Sequence, residues 1–191
     1  GLDKSKAMVK YAKAKYPKLT FKEGDALEAM LYPQNSFSTI TCFYFTLYYI
    51  KDKNTFLQNC YNWLMPGGYL VLHLVNRDKF DPILNVADPL HLVSAQKYST
   101  KRITTSTVKF KDFQYKAKFD IDNQNNLAEF NEIFKDDKTK HIRQNNHKLH
   151  METQKHILGL AKNIGFILQG KIDMITIQYQ NQFLYLLYKP E

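Results

Sequence analysis

The chain has 191 residues, 44% hydrophobic and 14% aromatic, which is apolar material enough for one domain with a real core and excludes a disordered or fibrous chain. Its formal charge of +9 is concentrated in residues 1–22, where seven lysines stand against one acid, and no helix-turn-helix, finger or RNA-binding aromatic motif accompanies them, which argues against a nucleic-acid partner. The longest apolar stretch, ITCFYFTLYYI from Ile40 to Ile50, is too short and too rich in Thr and Tyr for a membrane span, and Cys42 and Cys60 lack metal or redox spacing, so buried reduced thiols in a cytoplasmic protein are expected.

In chain order, GLDKSKAMVKYAKAKYP predicts an amphipathic helix with Lys6, Lys10 and Lys13 on its wet side and Ala7, Met8 and Tyr11 on the other. Asp3 or Ser5 would cap it and Pro17 close it. Leu19 to Glu23 reads as a short strand ending at Gly24-Asp25, and Phe37 to Phe45 as a second. DKNTFLQNCYNWL puts Phe56, Leu57, Cys60, Trp63 and Leu64 on one helical face, and Pro66-Gly67-Gly68 is expected to break that helix before the buried strand YLVLHLV. This alternation argues for a parallel sheet wrapped by helices.

From about Ser99 to His150 the pattern changes. KRITTSTVKF and FQYKAKFDID alternate apolar and polar residues, LAEFNEIF and TKHIRQNNHKL can pair beside them, and Asn- and Asp-rich turns lie between. An antiparallel insertion over 100–150 is therefore expected between core segments 1–99 and 151–191. METQKHILGLAKNIG returns to helical spacing, with Ile157, Leu158, Ala161 and Ile164 apolar and Gly165 as the stop. FILQGKIDMITIQY and QFLYLLYKP follow as the last strands, turning near Gln180-Asn181. His141, His147, His150 and His156 cluster in sequence but show no metal-ligand spacing.

Four short motifs now stand in order: GLDKSKAMVKYA, EGDAL, FSTITCFYFTLYYIKD and LMPGGYLVLHLV. Together they resemble class I S-adenosylmethionine-dependent methyltransferases of the small-molecule type, at the end of the second strand, the end of the third, the fourth strand with its exit, and the turn into the fifth. The resemblance implies an α/β, Rossmann-like sheet of strand order 3-2-1-4-5-7-6 with the antiparallel β insertion added. It also implies that the first strand and the glycine-rich loop precede Gly1. The chain is then expected to be N-terminally truncated, with a gap between its third and fourth strands and impaired cofactor binding. The strand edges at that gap predict a homodimer.

Carried over residue by residue, the resemblance makes Asp3 the acceptor of the ribose hydroxyls, with Lys4 beside the adenine. Asp25 would receive the adenine amino group, with Ala26 and Leu27 along the ring. Phe43 and Tyr44 would face the methionine part of S-adenosylmethionine. Tyr48, Tyr49 and His73 are the candidate catalytic residues, although a lone histidine in LVLHLV is more often a satisfied core residue between strand and helix than a base. The expected reaction is methyl transfer to a nitrogen or oxygen of a small-molecule acceptor, with the insertion as the cover that chooses it. The alternative is a methyltransferase-like scaffold that binds or dimerises without catalysis. Methylation of RNA or protein is suggested only by the charge.

Overall fold

The computed structural model describes residues 1–82, 99, 102–177 and 179–191. Strand β1 (Leu2–Asp3) leads into helix α1 (Lys6–Lys15), whose N-cap Ser5 accepts the Met8 N–H through its side chain, and β2 (Lys22–Glu23) returns parallel to β1. A 3-10 turn over Ala29–Leu31 precedes β3 (Phe37–Cys42), the short helix α2 (Thr46–Tyr49), α3 (Lys53–Trp63) and the long strand β4 (Leu64–Val75). Next come four antiparallel strands, β5 (Thr105–Lys109), β6 (Phe113–Asp122), β7 (Leu127–Asp136) and β8 (Ile142–His150). Helix α4 (Gln154–Ile164), β9 (Ile167–Asp173) and β10 (Gln182–Tyr188) complete the chain.

The strands form three sheets among the described residues, in the orders β1-β2, β3-β4-β10-β9 and β5-β6-β7-β8. β3 runs parallel to β4, β10 runs antiparallel to both β4 and β9, and the third sheet is antiparallel throughout. The fold is thus α/β with the expected antiparallel addition. Residues 100 and 101, at the start of the segment read as an insertion, lie outside the described residues.

One core joins the second and third sheets. Leu70, Leu72 and Leu74 of β4, Leu57 and Cys60 of α3, Tyr115 and Phe119 of β6 and Leu149 of β8 belong to a single buried cluster. Strand β6 shows why its sequence makes this choice: Tyr115, Ala117 and Phe119 turn inward while Lys116 and Lys118 stay exposed, the two-residue period of a half-buried strand. Two arginines fasten the connection. Arg77 donates to the Met151 carbonyl at 2.6 Å and to the Asn126 side chain, and Arg102 donates to the carbonyls of Arg77 (2.5 Å) and Phe80 (3.0 Å). The Arg102 guanidinium also lies 4.8 Å from the Phe119 ring centre.

Four local expectations are corrected. Pro66-Gly67-Gly68 does not end α3 ahead of the strand but lies inside β4, in a register shift opposite Ser38 where pairing jumps from Phe37–Leu64 to Thr39–Tyr69. Gly67 takes φ +78°, and a Cβ on Gly68 would come within 2.8 Å of the Met65 carbonyl, so the two glycines serve the bulge. β3 stops at Cys42 rather than Phe45, because Tyr44 at φ +53° cannot continue a strand. The strand expected over Leu19–Glu23 is only Lys22–Glu23. Finally, α1 buries Val9 alone while Met8 and Tyr11 remain exposed, since the two-residue strands of the β1–β2 pair offer little surface to cover.

Candidate functional site

The nucleoside-binding candidates are brought together by the parallel pairing of β1 with β2. Asp3 lies opposite Glu23, and the Gly24 N–H donates to the Asp3 carbonyl at 3.1 Å, so Asp3 and Asp25 both stand at the carboxyl ends of the two strands. Asp3 Oδ1 accepts the Ser5 N–H at 2.7 Å, so it also orients the residue that caps α1. Asp25 Oδ1 accepts the Leu27 N–H at 3.0 Å, while its Oδ2 lies 2.8 Å from Lys4 Nζ. The hydrogen bond from Lys4, helped by the Leu27 N–H, holds the Asp25 carboxyl below its ordinary range. A ligand amino group arriving at Asp25 therefore competes with a lysine for Oδ2.

Helix α3 steadies this corner through two side chains, Asn59, which sequence reasoning passed over, and Trp63, which it read only as part of the apolar face. Asn59, buried, donates from Nδ2 to the Ala26 carbonyl at 3.0 Å, and Trp63 donates from Nε1 to the Ala29 carbonyl at 3.0 Å. Both satisfy backbone acceptors in the loop that carries Asp25, Ala26 and Leu27. The signal of Asn59 in the sequence was slight, because a polar residue one turn from Phe56 looks like part of a wet face.

At the carboxyl end of β3, Phe43 and Tyr44 are exposed, and the left-handed backbone of Tyr44 aims its N–H at His73 Nδ1, 3.0 Å away. Accepting that hydrogen places the His73 proton on Nε2, which is buried with Gln182 beside it. Burial keeps the imidazole below its usual titration range, so it is neutral at pH 7. With 2% of its surface exposed, His73 is a support for the β3 exit and not an accessible base.

The candidate tyrosines separate. Tyr48 is fully buried, and its hydroxyl oxygen accepts the Val75 N–H at 2.9 Å, which caps the end of β4. That removes it from the catalytic candidates: burial raises its phenol far above the ordinary value and no solvent reaches it. Tyr49, next in α2, is half exposed and donates its hydroxyl hydrogen to His147 Nδ1 at 2.7 Å. His147 Nε2 in turn donates to Glu132 Oε2 at 3.2 Å. Glu132 also accepts the Tyr115 hydroxyl at 2.8 Å and the Asn145 amide at 3.4 Å.

The register of β7 and β8 explains this grouping. Glu132 pairs with Asn145 and Phe130 with His147, so Glu132 and His147 are diagonal neighbours on one face, with the imidazole stacked 5.6 Å from the Phe130 ring. Beside them Lys53 Nζ is buried and paired with Glu152 at 2.7 Å while donating to the carbonyls of Ile50 and His150, both at 2.8 Å. Lys53 thereby ties the end of α2 to the end of β8.

Residues 1–72 match the methyltransferase domain family. A "probable S-adenosylmethionine-dependent methyltransferase" of Mycolicibacterium smegmatis is 30% identical over 82 residues, 43% of this chain and 31% of that relative. The CcbJ methyltransferase of Streptomyces caelestis superposes on the whole chain and 74% of its own length with a TM-score of 0.78 at 14% identity. The chain has the class I methyltransferase fold. The sugar N-methyltransferase KedS8 of Streptoalloteichus shares that fold at a TM-score of 0.65 and 14% identity, again over the whole of this chain and 70% of KedS8. The pairings β2-β1 and β3-β4-β10-β9 match the neighbour orders 3-2 and 4-5-7-6 expected of the methyltransferase fold. This chain spans less than a third of the Mycolicibacterium methyltransferase relative. No described helix is long and apolar enough to cross a membrane.

Proposed function

We propose that the chain is a methyltransferase domain that binds S-adenosylmethionine and serves methyl transfer to a nitrogen or oxygen of a small-molecule acceptor. The observation that carries this is the position of Asp3 and Asp25 at the carboxyl ends of the adjacent parallel strands β1 and β2 in a class I methyltransferase fold. The donor set suits a nucleoside: Asp3 keeps an oxygen that makes no hydrogen bond among the described residues, as ribose hydroxyls need, and Asp25 can accept from an exocyclic amine. Ala26 and Leu27, half-buried and fixed by Asn59, would lie along the base, with Phe43 and Tyr44 toward the amino-acid portion. When bound, S-adenosylmethionine supplies an electrophilic methyl group on a positively charged sulfur.

Small-molecule acceptors are supported by the fold shared with a sugar N-methyltransferase. The four-stranded sheet β5–β8, packed against α2, would form the acceptor side, and the edges of β1 and β3 that are unpaired among the described residues favour a second copy as partner. The seven glycines include no Gly-x-Gly run, so few backbone groups can approach a nucleoside closely and weak affinity is expected. Titration of the isotope-labelled chain with S-adenosylhomocysteine, followed by heteronuclear NMR, accommodates such affinity. Amide shifts should concentrate at Asp3, Asp25, Ala26, Leu27, Phe43 and Tyr44, and Asp25→Asn should weaken binding about fivefold. Shifts confined to other segments, or none at saturating ligand, would overturn the reading.

A further inference from the structure

Tyr49, His147 and Glu132 form a chain of hydrogen bonds that begins on a half-exposed phenol, one turn beyond the exposed exit of β3, and ends on a carboxylate among the buried strands of the third sheet. We infer that this chain is a proton relay, with the Tyr49 hydroxyl as the group that takes the proton from an acceptor nitrogen and His147 and Glu132 as the residues that position and receive it. The inference rests on the proposed methyl transfer, and the residues come from two parts of the sequence that only the packing of α2 on β8 unites.

The direction of the relay follows from the hydrogen bonds. Glu132 has both oxygens occupied as acceptors, by Tyr115 on one side and by Asn145 and His147 on the other. It therefore demands a hydrogen on His147 Nε2, which leaves Nδ1 with a lone pair aimed at Tyr49. Tyr49 is held above its ordinary value by burial first and the Glu132 charge second, so its phenol is protonated at neutral pH and donates to Nδ1. The oxygen of that phenol keeps lone pairs on its half-exposed side. Lys148 follows His147 in β8, and the buried Lys53, paired with Glu152 at 2.7 Å, ties the end of α2 to the end of β8.

The step balances without any further reagent. As an acceptor nitrogen forms its bond to the methyl carbon, the carbon–sulfur bond breaks with its electron pair going to sulfur, and the nitrogen is left with a positive charge and a surplus proton. That proton passes to the Tyr49 oxygen while the phenolic hydrogen passes to His147 Nδ1, giving an imidazolium that Glu132 faces. Solvent then recovers the proton by the reverse path through Tyr49.

The test has two arms on the full chain. In the first, ¹⁵N-histidine NMR of the wild type should show His147 protonated at Nε2 and bare at Nδ1 at neutral pH. Glu132→Gln and Tyr49→Phe should each shift the tautomer balance of His147. A His147 with its hydrogen on Nδ1, or a tautomer balance indifferent to Glu132→Gln, would overturn the relay whatever the protein's activity. In the second, transfer of radiolabelled methyl from S-adenosylmethionine to glucosamine and to benzylamine is followed against pH. Tyr49→Phe and His147→Asn should reduce transfer about 100-fold and flatten its pH profile, while S-adenosylhomocysteine shifts stay as in the wild type. Variants transferring at the wild-type rate would overturn the inference. A wild type that transfers to neither amine would remove the relay's part in methyl transfer, and with no ligand shifts either it would remove the proposed function as well.

Discussion

His73 shows how a burial-shifted histidine becomes a stability term. Its neutral form is favoured in the folded state, because burial depresses its proton affinity below that of the unfolded chain. The stabilisation is present above the unfolded value of about 6.5 and is lost as pH falls from there toward the folded value. His73→Asn keeps an acceptor near Nδ1 for the Tyr44 N–H but cannot titrate, so thermal unfolding followed between pH 7 and 5 should show a shallower decline than in the wild type. The buried cysteines make a second prediction at this scale. Burial pushes the Cys42 thiol up to about 12 and raises Cys60 as well, so neither should react with iodoacetamide at pH 8 until denaturant opens the chain. Lys53 is more demanding: Lys53→Met leaves Glu152 and two carbonyls without their partner, and urea unfolding should show a loss of about 3 kcal/mol.

Elements couple through the shared core. Phe119 belongs to the antiparallel sheet, yet its ring sits edge-on to Phe80 with centroids 5.6 Å apart and lies under Arg102. Phe119→Ala should therefore cost about 3–5 kcal/mol and lower the unfolding midpoint reported by Trp63 in α3, although the two residues lie on different sheets and helices. Two separate transitions, with Trp63 unaffected, would mean that the antiparallel sheet and the α/β part fold independently. The shared cluster also makes excision of the sheet a poor probe of acceptor choice. Removing it would strip Leu70, Leu72 and Leu74 of partners, so substitutions at Tyr49 and His147 are the better probes.

For the molecule as a whole, the edges decide behaviour. Among the described residues β1 pairs only with β2 and β3 only with β4, so each presents a row of backbone donors and acceptors on its other side. At the opposite end β9 exposes Ile167, Leu168 and Ile172. Open apolar edges are templates for association. Multi-angle light scattering of this chain should report a dimer or larger species, and a monodisperse monomer at about 0.1 mM would contradict that expectation.

The order of elements was legible in the sequence because helix and strand periods are local. The helix 154–164 and strand 113–122 are where DFQYKAKFDIDN and METQKHILGLAKNIG put them. Asp3 and Asp25 were legible through the resemblance of GLDKSKAMVKYA and EGDAL to the family's motifs. The bulge at Pro66-Gly67-Gly68 was not, because it shows only as a shift in the pairing of β4 with β3, from Phe37–Leu64 to Thr39–Tyr69, with the Ser38 carbonyl close to Gly68. Tyr48 and Tyr49 were indistinguishable in TLYYI, and only packing buried one hydroxyl on Val75 and left the other half exposed on His147. Sequence alone thus determined which segments form strands and helices and which carboxylates end them, since those depend on neighbours a few residues apart. Tertiary structure alone decided which polar atoms meet, since the Tyr49–His147 bond spans 98 residues and exists only where α2 rests on β8.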